Sequence, residues 1–162
     1  MDPIFFKKHF ISTDERGKFE KLIPIKDLIF ETKEIFFSTS KIGTVRGMHI
    51  QRSPNPTSKV IKIIKGRVID VLLDCRKDSS TYGEFYEFEL SEDSDVLHIP
   101  KGYAHGFQAL TENATMLYVT DDYYNPETDS GYRFDSFGYN WPIPEIIISE
   151  RDKNLPKFSK NT

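Results

Sequence analysis

Gly43-Thr44-Val45-Arg46-Gly47-Met48-His49-Ile50-Gln51 and, further along, Pro100-Lys101-Gly102-Tyr103-Ala104-His105 are the stretches whose reading decides the fold. Both lead through a glycine to a histidine. Pro-Lys-Gly cannot continue a strand, so it sets His105 at the start of a new one, just after a tight turn. Around these stretches lie short β-rich runs at 35–37, 60–64, 67–73, 84–90, 96–99 and 114–120, punctuated by Lys65-Gly66, Tyr82-Gly83 and Asn125-Pro126. Alternation along 67–75 puts Ile69, Val71 and Leu73 on one face and Val68, Asp70 and Leu72 on the other. Asp70 thus sits among apolar neighbours and needs a partner. The same rule groups Lys59 with Lys65 and sets Lys62 opposite.

Composition agrees with a sheet protein. The 162 residues include thirteen Phe, eight Tyr and one Trp but alanine only at Ala104, Ala109 and Ala114, a balance that favours pleated sheet over helix. The length fits one domain over 1–162. A helical turn is expected within 26–33, and the polar tail from about 153 is expected to fray. A net charge of −3 gives no long-range attraction for nucleic acid or anionic lipid, though a local cationic pocket can hold a small anion. The apolar runs are far shorter than the ~20 residues of a membrane-spanning helix. The single Cys75 cannot form an internal disulfide, and no leader pattern is seen at the N-terminus, so a reduced, cytoplasmic protein is expected.

The two histidine stretches resemble the paired motifs of a cupin, the all-β double-stranded β-helix or jelly roll. Metal-binding cupins place a second histidine two positions after the first and a glutamate further on. Here those slots hold Gln51 and Lys59. An amide is a poor transition-metal ligand and an ammonium repels a cation, so only His49 and His105 remain as good ligands. The expectation is a barrel without metal or other cofactor, its pocket reversed in sign toward phosphate or enolate oxygen.

A longer series is more specific. Asp14-Glu-Arg16-Gly17, Arg46-Gly-Met-His49-Ile-Gln51, Lys59, Asp70 to Arg76, Ser80-Thr-Tyr-Gly83, Ile99 to Phe107, Tyr118, Tyr124, Trp141-Pro142 and Ser149-Glu-Arg-Asp152 stand in the order and spacing of the dTDP-4-dehydrorhamnose 3,5-epimerase family, which the chain resembles from about 14 to 156. The resemblance implies an isomerase that inverts C3, C5 or both in a nucleotide diphosphate-linked 4-keto-6-deoxy sugar, for deoxysugar or surface-polysaccharide synthesis, and a homodimer.

Such chemistry needs a base on one face of the sugar, an electrophile at the enolate oxygen and a proton donor on the other face. By resemblance His49 is the base, Asp152 orients it, Lys59 meets the enolate and Tyr118 returns the proton. Arg16, Arg46 and Arg151 fall where the family contacts the diphosphate and sugar, and Gln51 and His105 where it lines the site. Tyr124 matches an aromatic that stacks on the base, and Asp129 a nearby acidic position.

From the residues alone, Asp70 competes with Asp152 as the partner of His49. His9 and His98 have no motif around them and read as ordinary side chains. Glu34-Ile35-Phe36-Phe37 departs from the family, which carries amides there to hold nucleotide and sugar, and Lys21, with Glu20 beside it, replaces a family acid. The nucleotide, the sugar and the number of carbons inverted therefore stay open, including a 3-epimerase for another nucleotide-linked keto sugar. A non-catalytic sugar-nucleotide-binding cupin would keep the pocket without needing both base and acid. A metal-dependent cupin oxygenase or isomerase would need a third ligand.

Overall fold

In the computed structural model, which describes residues 2–7 and 10–160, two five-stranded antiparallel sheets face each other. His9 lies outside the described residues. The first sheet is ordered β1 (Ile4–Phe6), β9 (Val96–Ile99), β6 (Lys59–Lys65), β11 (Ala114–Thr120) and β4 (Glu34–Ser40). The second is ordered β12 (Asp129–Gly131), β5 (Val45–Gln51), β10 (Tyr103–Ala109), β7 (Arg67–Asp74) and β8 (Phe85–Ser91). A separate hairpin pairs β2 (Phe10–Asp14) with β3 (Gly17–Lys21). The expected helical turn is a short 3-10 segment at Ile25–Asp27.

The core fills the space between the sheets. Ile61 and Ile63 of β6, Leu97 and Ile99 of β9 and Met116 of β11 meet Val68 and Leu72 of β7 and Phe107 of β10, all at 4% exposure or less. A second apolar layer covers the outer face of the second sheet. There Met48, Ile50, Val71, Leu73 and Ala104 lie under Tyr139 and Phe158, with Tyr132, Phe137 and Trp141 packed alongside. Burial on both faces explains why β7 and β10 read as nearly continuous buried runs rather than as half-exposed alternation.

That outer layer corrects the expectation of a frayed tail. Phe158 is buried, its N–H donates to Ser136 Oγ at 2.9 Å, and its ring meets Tyr132 edge-on at 5.1 Å. One aromatic side chain with a cavity to fill outweighs the polar composition around it.

Two irregularities in the ladders decide what faces inward. Between β5 and β10 the register runs His49 to His105 and then Arg46 to Phe107, so Gly47 and Met48 together oppose Gly106. In a regular strand Arg46 and His49, three apart, would point to opposite faces; the extra residue turns both inward. Gly47 makes this approach possible, at φ +115, because a Cβ there would stand 2.5 Å from the carbonyl oxygen of His105. In β6, Lys65 pairs with Thr115 while Ile63 pairs with Met116, leaving Ile64 as an extra residue. Lys59 therefore shares the inner face with Ile61 and Ile63, but Lys65 does not, contrary to simple alternation.

Candidate active site

The site opens between the two sheets, along the side where β4 edges one and β12, beside β5, edges the other. His49 enters from β5 and Tyr118 from β11, so they belong to opposing sheets. His105 connects them: it is the cross-strand partner of His49, and its ring lies 6.4 Å from that of Tyr118.

His49 is held by Asp152, not by Asp70. Its Nε2 lies 2.7 Å from Asp152 Oδ1, and the other carboxylate oxygen accepts the N–H of Gly47 at 3.1 Å. Asp152 is presented by a short helix, α1 (Glu150–Lys153), capped by Ser149, whose hydroxyl accepts the Asp152 N–H at 3.1 Å. Burial alone would raise the Asp152 carboxyl. The bond to His49, the charge of that ring and the Gly47 N–H outweigh it and hold the group below its ordinary value. Asp152 thus stays an anion beside an imidazole whose side chain keeps 32% of its surface open.

Asp70 pairs instead with His105, at 2.7 Å from Nε2 and with both side chains closed off from solvent. Burial pulls His105 below its ordinary value; Asp70 opposes the shift, while Lys59 and His49 add to it. His105 is therefore held neutral. This second His–Asp pair was not assigned from the sequence, although Asp70's place among apolar residues already demanded a partner.

Lys59, at the inner start of β6, lines the pocket with His49. Burial lowers its ammonium, and the Asp70 and Asp129 carboxylates pull it back up. Tyr118 is only 8% exposed, stacked under Phe36 with its hydroxyl 3.2 Å from Ser38 Oγ. Burial pushes the phenol well above its ordinary value, against the lowering effect of the Ser38 bond, so it remains a neutral acid.

The other expected residues divide. Gln51, Tyr124, Asp129 and Arg151 line the pocket, with Arg151 paired to Asp129 at 2.5 Å. Gln51 is committed at both ends of its amide, donating to the Tyr123 carbonyl at 3.2 Å and accepting from Thr128 at 2.9 Å. Arg46 lines a groove that continues from His49 past Lys41 and Arg151, and its Nε donates to Ser40 Oγ at 3.0 Å. This cationic groove suits phosphate oxygens. Arg16 is the exception: it lies at the β2–β3 turn, largely exposed, bound to Asp14, and outside both pocket linings. Glu34 and Phe36 also line the pocket, which the sequence marked only as a departure.

As a metal centre the site is a poor fit. Among the described residues no three His, Cys, Asp or Glu side chains converge, and Lys59 lines the same pocket as His49 with an ammonium that repels a cation.

Comparison with known proteins gives the family. Residues 4–160 match the family model for dTDP-4-dehydrorhamnose 3,5-epimerase. The enzyme of that name from Methanothermobacter thermautotrophicus is 37% identical, over 93% of this chain and 87% of its own; that from Salmonella typhimurium is 35% identical, over 88% and 84%. The fold superposes on the Bacillus anthracis dTDP-4-dehydrorhamnose 3,5-epimerase, solved with TDP and pyrophosphate bound, with a TM-score of 0.91 and 31% identity over 97% of this chain and 94% of that one. With a cupin-type jelly roll, paired histidines inside it and kinship along almost its whole length, the chain belongs to the dTDP-4-dehydrorhamnose 3,5-epimerase family of isomerases.

Proposed function

We propose that the protein epimerises a dTDP-linked 4-keto-6-deoxy sugar at C3, C5 or both, with His49 as base and Tyr118 as the acid on the opposite face. The observation that carries this reading is the entry of those two side chains from opposing sheets around a common neighbour, His105. A solved relative from Legionella pneumophila, 27% identical, is described in complex with dTDP-4-keto-L-rhamnose.

The ketone acidifies the neighbouring C–H bonds because the electron pair left behind delocalises onto oxygen. His49 Nε2 is occupied by Asp152, so the opposite ring nitrogen takes the proton, and the Asp152 anion stabilises the imidazolium that forms. Lys59 is the cation within the pocket that offsets the enolate charge. Tyr118 then gives its proton to the other face of the carbon, the carbonyl re-forms, and the configuration is inverted. The groove of Arg46, Lys41 and Arg151 takes the diphosphate, and Tyr124 offers a ring to the base.

A second copy of the chain completes this reading. Ile35 and Phe37 stand 66% and 70% exposed on the edge strand β4, and Phe10, Ile11 and Phe19 are about half exposed on the β2–β3 hairpin; apolar edges of this kind are usually covered. Homodimerisation would cover them, and it offers Arg16 a pocket on the neighbouring copy. Among the described residues no helix is long and apolar enough to cross a membrane. The free Cys75 accords with a cytoplasmic setting.

The test is incubation in deuterated water with dTDP-, GDP-, UDP- and CDP-linked 4-keto-6-deoxy sugars, followed by mass spectrometry and NMR of C3 and C5. Deuterium entering the dTDP sugar fastest is expected. Preference for another nucleotide would overturn the substrate assignment, and exchange with none of them would overturn the activity.

A further inference from the structure

The inward side chains of β4 step through Glu34, Phe36, Ser38 and Ser40, and two of them act on Tyr118. Phe36 is its direct cross-strand partner. The two rings stack with centroids 4.8 Å apart and planes inclined by 14°, within the usual range for offset aromatic pairs. Two residues on, the Ser38 hydroxyl meets the phenol oxygen at 3.2 Å. Phe36 is 46% exposed and lines the pocket beside His49 and Lys59, whereas Tyr118 is 8% exposed beneath it. Part of the Phe36 ring is therefore spent on the phenol and the rest faces the ligand space.

We propose that Phe36 and Ser38 are positioning residues for Tyr118: the stack fixes the plane of the phenol, and the serine hydroxyl fixes the direction of its O–H. The inference rests on Tyr118 being the acid of the reaction. In that step the phenol O–H breaks, the enolate electron pair forms the new C–H bond, the carbonyl is restored and the O–H pair stays on the phenolate. The Ser38 O–H is placed to donate to that phenolate until solvent returns a proton. Without the clamp, His49 still removes a proton and returns a solvent-derived one to the same face, so exchange continues while inversion fails.

The separating experiment follows both rates in deuterated water, deuterium entry into recovered substrate and formation of inverted product. Its variants are Phe36→Leu, Phe36→Tyr, Ser38→Ala and Tyr118→Phe, each first checked for a parent-like melting temperature. At saturating substrate, Phe36→Leu and Ser38→Ala are expected to lower the ratio of inversion to exchange by about tenfold or more, and Phe36→Tyr, which keeps a stacked ring, to restore the parent ratio. Equal loss of both rates in Phe36→Leu and Ser38→Ala, or no change in either, overturns the clamp. If Tyr118→Phe splits the two rates and neither clamp variant does, the clamp alone fails. If Tyr118→Phe still inverts at the parent rate, the acid assignment fails with it.

Discussion

His49 and His105 face each other across the β5–β10 ladder, and each gives Nε2 to a different carboxylate at 2.7 Å, Asp152 for the first and Asp70 for the second. Similar pairs in different surroundings take different parts. The His105–Asp70 pair is closed to solvent and its imidazole is held neutral, whereas His49 keeps a third of its surface open to the pocket. Only the open histidine has ring surface facing the pocket where a ligand would lie.

Replacing Asp152 tests that division. Asp152→Asn preserves shape but removes the anion that stabilises a charged His49. A fall in kcat of about 10²-fold or more is expected, with KM much less affected. Steady-state kinetics on the purified variant would check it.

Gly47→Ala should damage the fold more than its size suggests. A methyl group there meets the His105 carbonyl oxygen and the Gly106 Cα at 2.5 and 2.6 Å, and φ is +115. A loss of about 2 kcal/mol or more is expected, corresponding to a drop in melting temperature of roughly 4–8 °C for a chain of this size. Scanning calorimetry would measure it.

Two buried histidines set the acid limb of stability. Burial lowers His98 below 6.5, with Asp121 opposing, and lowers His105 as described. Below 6.5 the unfolded chain therefore binds protons that the folded chain refuses, and stability falls as the pH drops from there toward the folded values. Asp152 acts lower: its carboxyl, depressed in the fold, contributes stability above 3.8 that is lost as the pH falls through its folded value. The melting temperature is expected to be level from about pH 8 to pH 7, to decline from about pH 6.5 and to steepen below about pH 4. In His98→Gln, the first decline should shrink.

Much of this was readable from residues, and the failures have physical causes. The strand runs follow from β-branched and aromatic clustering, whereas the choice of Asp152 over Asp70 for His49 came from the family resemblance and not from the residues alone. The His105–Asp70 pair depends on which residue of β10 lies beside β7, and alternation within one strand cannot specify that. The inward turn of Arg46 and the outward turn of Lys65 each depend on one extra residue in a ladder. Arg16 lies at the exposed β2–β3 turn, bound to Asp14, because motif order along the chain does not specify where a hairpin folds relative to the pocket.

The anchored tail offers a fourth check. Phe158 packs against Tyr82 and Tyr132 under the second sheet, in the segment that follows α1. Phe158→Ala should cost about 3 kcal/mol or more. It should also lower kcat, because α1 carries Asp152. Denaturant unfolding and kinetics on the same preparation would show whether the losses go together.

The most direct measurement of the central claim is the fate of deuterium in recovered substrate and inverted product for the parent protein, His49→Asn and Tyr118→Phe. Two groups acting from opposite sides require that His49→Asn label neither molecule, and that Tyr118→Phe label the substrate while forming little inverted product. Parent-rate exchange in His49→Asn, or parent-rate inversion in Tyr118→Phe, would contradict it.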